Sequence, residues 1–251
     1  MTFALLLTFI AGIATVIGGF LATRKKMASR GALAVALAFS AGAMIFVSLT
    51  DIVQKSLNAF GGAYPMMALA FFAGMVIVGL MDRLIPQDVN PSDTEGVKNR
   101  KALKRSGLLI AAALCLHNFP EGFLVFMGAL QDPTAGLAIA IALAIHNIPE
   151  GIAVAAPMVA AGHSKIKTIL VTGATGLAEP VGALIGYFLL HNYLDGPVLG
   201  WVFGIVAGMM VFISIDELLP ASKRYETKNH QTTYGFIFGA AIVALSIALL
   251  S

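Results

Sequence analysis

The 251-residue chain is predicted to be an all-α, polytopic membrane protein with eight transmembrane helices. Three observations carry that expectation. Hydrophobic residues make up 58% of the chain and charged residues only 12%, with a mean hydropathy of +0.87, far from the balance of a water-soluble domain. The apolar runs mostly reach the length of about 20 residues that a helix needs to cross a bilayer core. The separators between them are alternately basic and nearly free of basic residues.

The first run, 2–23, has no basic segment ahead of it, and its positive cluster follows it. That order predicts an anchor with the N-terminus outside rather than a signal peptide. Arg24 to Arg30 divides it from a second run, 31–56, and Gly61-Gly62 turns the chain into a third, 62–84. The stretch 86–103 is rich in Asp, Ser, Asn and Lys, with Pro86 and Pro91. It is expected to be a flexible cytoplasmic loop inside a single membrane domain, 1–251. Runs at 104–130 and 133–160 follow, separated by Asp132-Pro133, and then 166–190, 197–220 and 233–251.

With the N-terminus outside, every one of the 16 basic residues except Lys55 falls at the cytoplasmic ends of these runs. The reverse orientation violates the positive-inside rule, so both termini are expected to be extracytoplasmic. The pI near 9.0 follows from those loops, so the lipid bilayer is the expected partner and nucleic acid is not. A single cysteine, Cys115, excludes an internal disulfide and a thiolate cluster, and it is read as buried packing. His163, His191 and His230 fall between runs and read as surface residues.

Two near-identical hexapeptides stand at the centres of runs 4 and 5: His117-Asn118-Phe119-Pro120-Glu121-Gly122 and His146-Asn147-Ile148-Pro149-Glu150-Gly151. Residues three and four apart share one face of a helix. Each copy therefore aligns an imidazole, an amide and a carboxylate along one stripe. Such groups are costly in hydrocarbon unless something satisfies them. Runs 4 and 5 are antiparallel, so the two copies form an inverted pair that meets halfway across. Facing carboxylates repel unless a cation or proton lies between them. Pro120 and Pro149 remove one backbone donor each and are expected to break the helices at the site.

The expected metal ligands are His117, Asn118, Glu121, His146, Asn147 and Glu150, with Glu179 beside Pro180 in run 6 as a further carboxylate. Mixed nitrogen and oxygen donors without thiolate suit Zn²⁺, Fe²⁺, Mn²⁺ or Co²⁺. Ser40 and Met44, four apart on run 2, could present a hydroxyl and a thioether to the site. Asp51 either meets solvent or collects cations at the outer entrance. Asp216 and Glu217, toward the cytoplasmic end of run 7, either line an exit path or are solvated at the interface. No resident cofactor is expected; a divalent cation is expected as bound substrate.

The doubled His-Asn-x-Pro-Glu-Gly motif in eight spans resembles the ZIP (Zrt/Irt-like) family of divalent-metal transporters, above all its bacterial zinc-uptake branch. The resemblance covers the whole chain. It implies a fold in which helices 1–3 and 6–8 are inverted repeats around a central helix 4–5 pair. It also implies elevator-like alternating access, with helices 1, 4, 5 and 6 moving against the rest, a bacterial inner-membrane location and a homodimer. By the same resemblance, His117, Glu121, His146 and Glu150 form a first metal position. Asn118, Asn147 and Glu179, sharing Glu121 and Glu150, form a second, which the neutral Asn147 weakens.

Uptake of Zn²⁺, with Fe²⁺, Mn²⁺, Co²⁺ and Cd²⁺ as further candidates, is the expected function, and the direction comes from the resemblance. An intramembrane metal-dependent hydrolase is the alternative from another class, although no His-Glu-x-x-His sequence occurs. A metal-free, proton-coupled carrier is the third. The chain is not expected to be an enzyme.

Overall fold

A computed structural model describes residues 1–24, 29–84, 100–190 and 196–250. Among them run eight continuous helices: α1 (Thr2–Ala22), α2 (Arg30–Ala59), α3 (Tyr64–Leu84), α4 (Arg100–Gln131), α5 (Pro133–Ala160), α6 (Lys165–Leu190), α7 (Gly196–Tyr225) and α8 (Gln231–Leu250). Six of these, α1, α2 and α5–α8, are long and apolar enough to cross a membrane, and α3 contributes the shorter apolar stretch Tyr64–Leu80. Most of the expected loop 86–103 lies outside the described residues. Its last four positions instead open α4, which begins at Arg100.

The outer faces are those of a protein dissolved in lipid. On α1, Leu6, Phe9, Ile10, Ile13, Ile17 and Phe20 are exposed, while Ala4, Leu7, Thr8, Ala11, Gly12 and Thr15 are buried. The same split recurs on α3, where Leu69, Phe72, Val76 and Leu80 project outward one turn apart. Water would penalise such faces, and a hydrocarbon solvent does not. The protein is an integral membrane protein.

The turns follow local chemistry. Gly61 and Gly162 adopt φ of 63° and 79° just past the ends of α2 and α5. In each, the amide after or at the left-handed residue closes back on the helix, as in Gly62 N–H to the Leu57 carbonyl and His163 N–H to that of Met158. Asp132 caps α5: its Oδ1 accepts from the amides of Thr134 (2.8 Å) and Ala135 (3.3 Å), with Pro133 in the first turn where no donor is needed. In the α7–α8 turn, a hydrogen bond from Lys223, then bonds from Thr232, hold the Glu226 carboxyl down at about 2.

Two departures from expectation concern helix regularity. Pro120 and Pro149 do not break α4 and α5, which run unbroken through both motifs. Each proline forfeits one backbone bond, which the rest of a long, packed helix absorbs. The irregularities lie instead in α2 and α7, each of which widens into one π-turn, Ser48–Ile52 and Ser214–Leu218. Both also run past their expected ends, α7 through Pro220 to Tyr225.

The π-turned segments match: Gly42, Met44, Phe46, Ser48 and Ser56 on α2 answer to Gly208, Met210, Phe212, Ser214 and Ser222 on α7. Their contacts match as well. Ser56 Oγ donates to the Gly200 carbonyl (2.7 Å), and Ser222 Oγ donates to the Ala34 carbonyl (2.6 Å). Replacing Ser222 by alanine is expected to cost about 1 kcal/mol, the net worth of one buried hydrogen bond. Thermal unfolding in detergent measures it.

Glycines divide the eight helices into two sets. One is α1, α4, α5 and α6, joined where Gly12 meets the Gly176 carbonyl, Gly18 that of Ile148, and Gly122 that of Glu179. The other is α2, α3, α7 and α8, joined where Gly42 meets the Phe236 carbonyl, Gly74 that of Ile205, and Gly208 that of Phe71. Among the described residues, every close approach made by a glycine falls within one set or the other. Backbones lock together inside each set.

Candidate metal site

α4 and α5 form a tight antiparallel hairpin around Asp132, so the two motifs face each other at mid-height. The facing stripes are buried: Asn118, His146, Asn147 and Glu179 are fully enclosed, and Glu121 and Glu150 are 1% exposed. One ligand atom from each of Glu121, His146 and Glu150 lies within 4.8 Å of the other two. His146 Nε2 stands 3.5 Å from Glu121 Oε1. A divalent cation accepts imidazole nitrogen and carboxylate oxygen at about 2.0–2.2 Å, and three donors grouped this way can close on one ion.

The two asparagines are oriented by backbone carbonyls of the outer helices. Asn118 Nδ2 donates to the Thr175 carbonyl on α6 (3.2 Å), and Asn147 Nδ2 donates to the Ala11 carbonyl on α1 (3.0 Å). Asn147 Nδ2 also donates to Glu179 Oε1 (2.5 Å). With the nitrogens committed, the oxygens are the atoms left over. Asn118 Oδ1, Asn147 Oδ1 and Glu179 Oε2 are buried and have no hydrogen-bond partner among the described residues. Two such amide oxygens and the carboxylates of Glu121, Glu150 and Glu179 are buried here, an environment that a cation neutralises.

Glu179 is placed by Gly122. A methyl group at Gly122 would strike the Glu179 backbone, so the missing side chain lets α6 lie directly on α4. From the other set of helices, α2 sends Ser40 into the group. Its hydroxyl lies 3.4 Å from Glu150 Oε1, 3.5 Å from the His146 carbonyl and 3.8 Å from Met44 Sδ, three acceptors within reach of its one proton. Met44 is fully buried. The π-turn aspartate, Asp51, is held by Lys55 at 2.5 and 2.6 Å. It lines a cavity of about 280 Å³ with Asp132, Thr134, Ala138 and Ile139, where α2 meets the α4–α5 turn.

Not every expected residue joins the cluster. The His117 side chain lies outside the described residues. Asp216 and Glu217 sit exposed in the π-turn of α7 and are not among the three grouped ligands. Cys115 is half-buried rather than enclosed, its Sγ 3.8 Å from the Ala174 carbonyl. His163 is half-buried at the end of α5, His230 is exposed, and His191 lies outside the described residues.

The sequence that builds this arrangement is matched by known proteins. A family profile described as "ZIP Zinc transporter" aligns with residues 87–247. The chain belongs to the ZIP family. The "Zinc transporter ZupT" of Stenotrophomonas maltophilia (strain K279a) is 43% identical, over 98% of this chain and 95% of that protein. The protein of the same name from Oceanobacillus iheyensis is 44% identical over 100% of this chain and 99% of its own length, and that from Corynebacterium glutamicum 42% over 99% of each. Both hexapeptides of this ZIP chain fall inside the matched region, as does Glu179.

The amide geometry was not foreseen from the sequence. The Ala11 and Thr175 carbonyls that orient the asparagines, and the buried Thr15 on α1, lie at positions that no sequence motif marks. A signal did exist: Thr8, Ala11, Gly12, Thr15 and Gly18 on α1 run in register with Thr172, Thr175, Gly176, Glu179 and Gly182 on α6.

Proposed function

We propose that this chain carries zinc and related divalent cations across a bacterial inner membrane into the cytoplasm. Eight spans, with both termini outside, hold a metal site halfway across. The observation that carries the proposal is the convergence of Glu121, His146 and Glu150 from two antiparallel helices, in a chain of a zinc-transporter family. His117 completes the first metal position. Asn118, Asn147 and Glu179 furnish the second, where Glu121 and Glu150 bridge.

The two glycine-locked sets supply the moving parts. In this reading α1, α4, α5 and α6 carry the ion as one body past α2, α3, α7 and α8, a shear between packed units. Matched contacts of α2 with α7, and of α1 with α6, support inverted repeats around the α4–α5 pair. Ser40 touches Glu150 across the boundary, so α2 can exchange its hydroxyl for the ion's coordination as the bodies slide.

Purified protein in liposomes tests this. Zinc accumulation dependent on the chain, without added nucleotide, is the expected result. Cleavage of a lipid or peptide with no metal flux would point to the hydrolase. Proton flux indifferent to zinc would point to the metal-free carrier.

Acidity gives a second check. Zinc binds the neutral imidazole and the ionised carboxylate, so protons compete for the same atoms. Zinc affinity is expected to fall as pH drops from about 8 to 5, through the range where a free histidine, with pKa near 6.5, takes its proton. Affinity constant across that range, measured by competition with a chelating dye, would contradict imidazole ligation.

A further inference from the structure

The columns of small and polar residues on α1 and α6 correspond contact by contact. A methyl on Gly12 would meet the Gly176 carbonyl, and one on Gly176 would meet the Gly12 carbonyl. Gly18 lies against the Ile148 carbonyl, and Gly182 against that of Phe119. Gly151 lies against the Thr15 carbonyl, and Gly122 against that of Glu179. Asn147 donates to Ala11, and Asn118 donates to Thr175. Each pair turns into its partner when α1 is exchanged for α6 and α4 for α5. Under that exchange, the counterpart of Glu179 is Thr15, and the counterpart of Asn147 is Asn118.

Glu179 meets Asn147 through one carboxylate oxygen. The exchange therefore sets Thr15 on the Asn118 side of the same cluster. Thr15 is fully buried, and its Oγ1 has no hydrogen-bond partner among the described residues. That is unusual for these helices. Thr8, Thr172 and Thr175 all return their hydroxyls to a backbone carbonyl one turn earlier, at 2.8 to 3.1 Å. Asn118 Oδ1, the atom expected opposite, is likewise buried and without a partner. A threonine hydroxyl ends two bonds short of a glutamate carboxylate, so it reaches an ion best through one intervening oxygen.

We propose that the Thr15 hydroxyl and Asn118 Oδ1 form a neutral oxygen pair that holds a ligand water of the transported cation. The pair stands where full two-fold correspondence would put a fourth carboxylate. This deepens the cation-site reading above and rests on it. Thr15 acts as a positioning residue: it orients a ligand of the ion and limits the cluster to the carboxylates of Glu121, Glu150 and Glu179. Outer partners of metal ligands are worth about 10–100-fold in affinity, and a neutral hydroxyl belongs at the lower end.

Zinc binding to the full chain in detergent tests this, with wild type beside Thr15→Val, Thr15→Ser and Glu121→Ala. Valine keeps the shape and removes the oxygen; serine keeps the oxygen. Zinc affinity is expected to fall about tenfold in Thr15→Val, the lower end of the outer-partner range, and to stay near wild type in Thr15→Ser. An unchanged or tighter Thr15→Val overturns the proposal, and so do equal losses in Thr15→Val and Thr15→Ser, which would mean packing. If Thr15→Val does not fold, Thr15→Ala set against Thr15→Ser reads the same difference. In either case a wild type that loses zinc on Glu121→Ala leaves the cation site standing. Zinc binding indifferent to Glu121→Ala overturns both readings together.

Discussion

A variant carrying Glu121→Ala and Glu150→Ala together is expected to show no zinc uptake above that of empty liposomes. These two carboxylates come from different helices, face one another and serve both proposed metal positions. Each contributes a charge-assisted interaction on the order of 1.5–3 kcal/mol. Losing both weakens zinc by at least about 10²-fold, since every 1.4 kcal/mol is a factor of ten. The effect on folding should run the other way. Buried like charges destabilise a metal-free protein, so the double variant without zinc is expected to melt no lower than wild type. Its stabilisation by added zinc should vanish, because a ligand stabilises only the state it binds. Uptake that persists in the double variant would remove the site assignment. A collapse of the metal-free fold would mean that the carboxylates serve structure instead.

The positions of the helices were legible in the sequence because lipid leaves the chain little choice. Backbone polar groups must be paired internally, so spanning segments are apolar helices, and charges are confined to their ends. The start of α4 at Arg100 was missed because its first turns are polar, and polar composition alone reads as loop. The two prolines misled for a related reason. A proline marks a lost hydrogen bond, but whether the helix breaks there depends on neighbours that one sequence does not display. The π-turns of α2 and α7 carry neither Gly nor Pro and left no local trace. They show only when Gly42 to Ser56 is set beside Gly208 to Ser222.

At the site, the doubled hexapeptide brought Glu121, His146 and Glu150 to notice, since their chemistry has few innocent reasons to sit in hydrocarbon. Glu179 was found on the same ground. The roles of the asparagine nitrogens were hidden, because the carbonyls that orient them belong to Ala11 and Thr175, and a backbone acceptor has no side-chain signature. Thr15 was hidden more deeply still. Threonine in a membrane helix ordinarily satisfies itself, and only a hydroxyl that fails to do so is informative. That failure is a property of the packed structure.

Gly122→Ala is expected to abolish tight zinc binding although no ligand is altered. The added methyl would collide with the backbone of Glu179, which cannot yield as the end of a side chain does, so α6 must move away from α4. That displacement carries the Glu179 carboxylate off Asn147 and out of the cluster. Overpacking of this kind costs about 1–3 kcal/mol of stability, and misplacing a binding group by about 1 Å can cost on the order of 10²-fold in function. Gly239→Ala supplies the comparison. Its methyl would strike the Phe39 carbonyl, an equally unyielding contact, but one that joins α8 to α2 in the other set of helices. Both variants should therefore melt lower by similar amounts in detergent, while only Gly122→Ala loses affinity for zinc. Equal losses of affinity would mean that the two sets respond as a single body. The boundary between them, which in this protein is crossed by side chains such as Ser40 and by no glycine contact among the described residues, would then not be the surface on which transport slides.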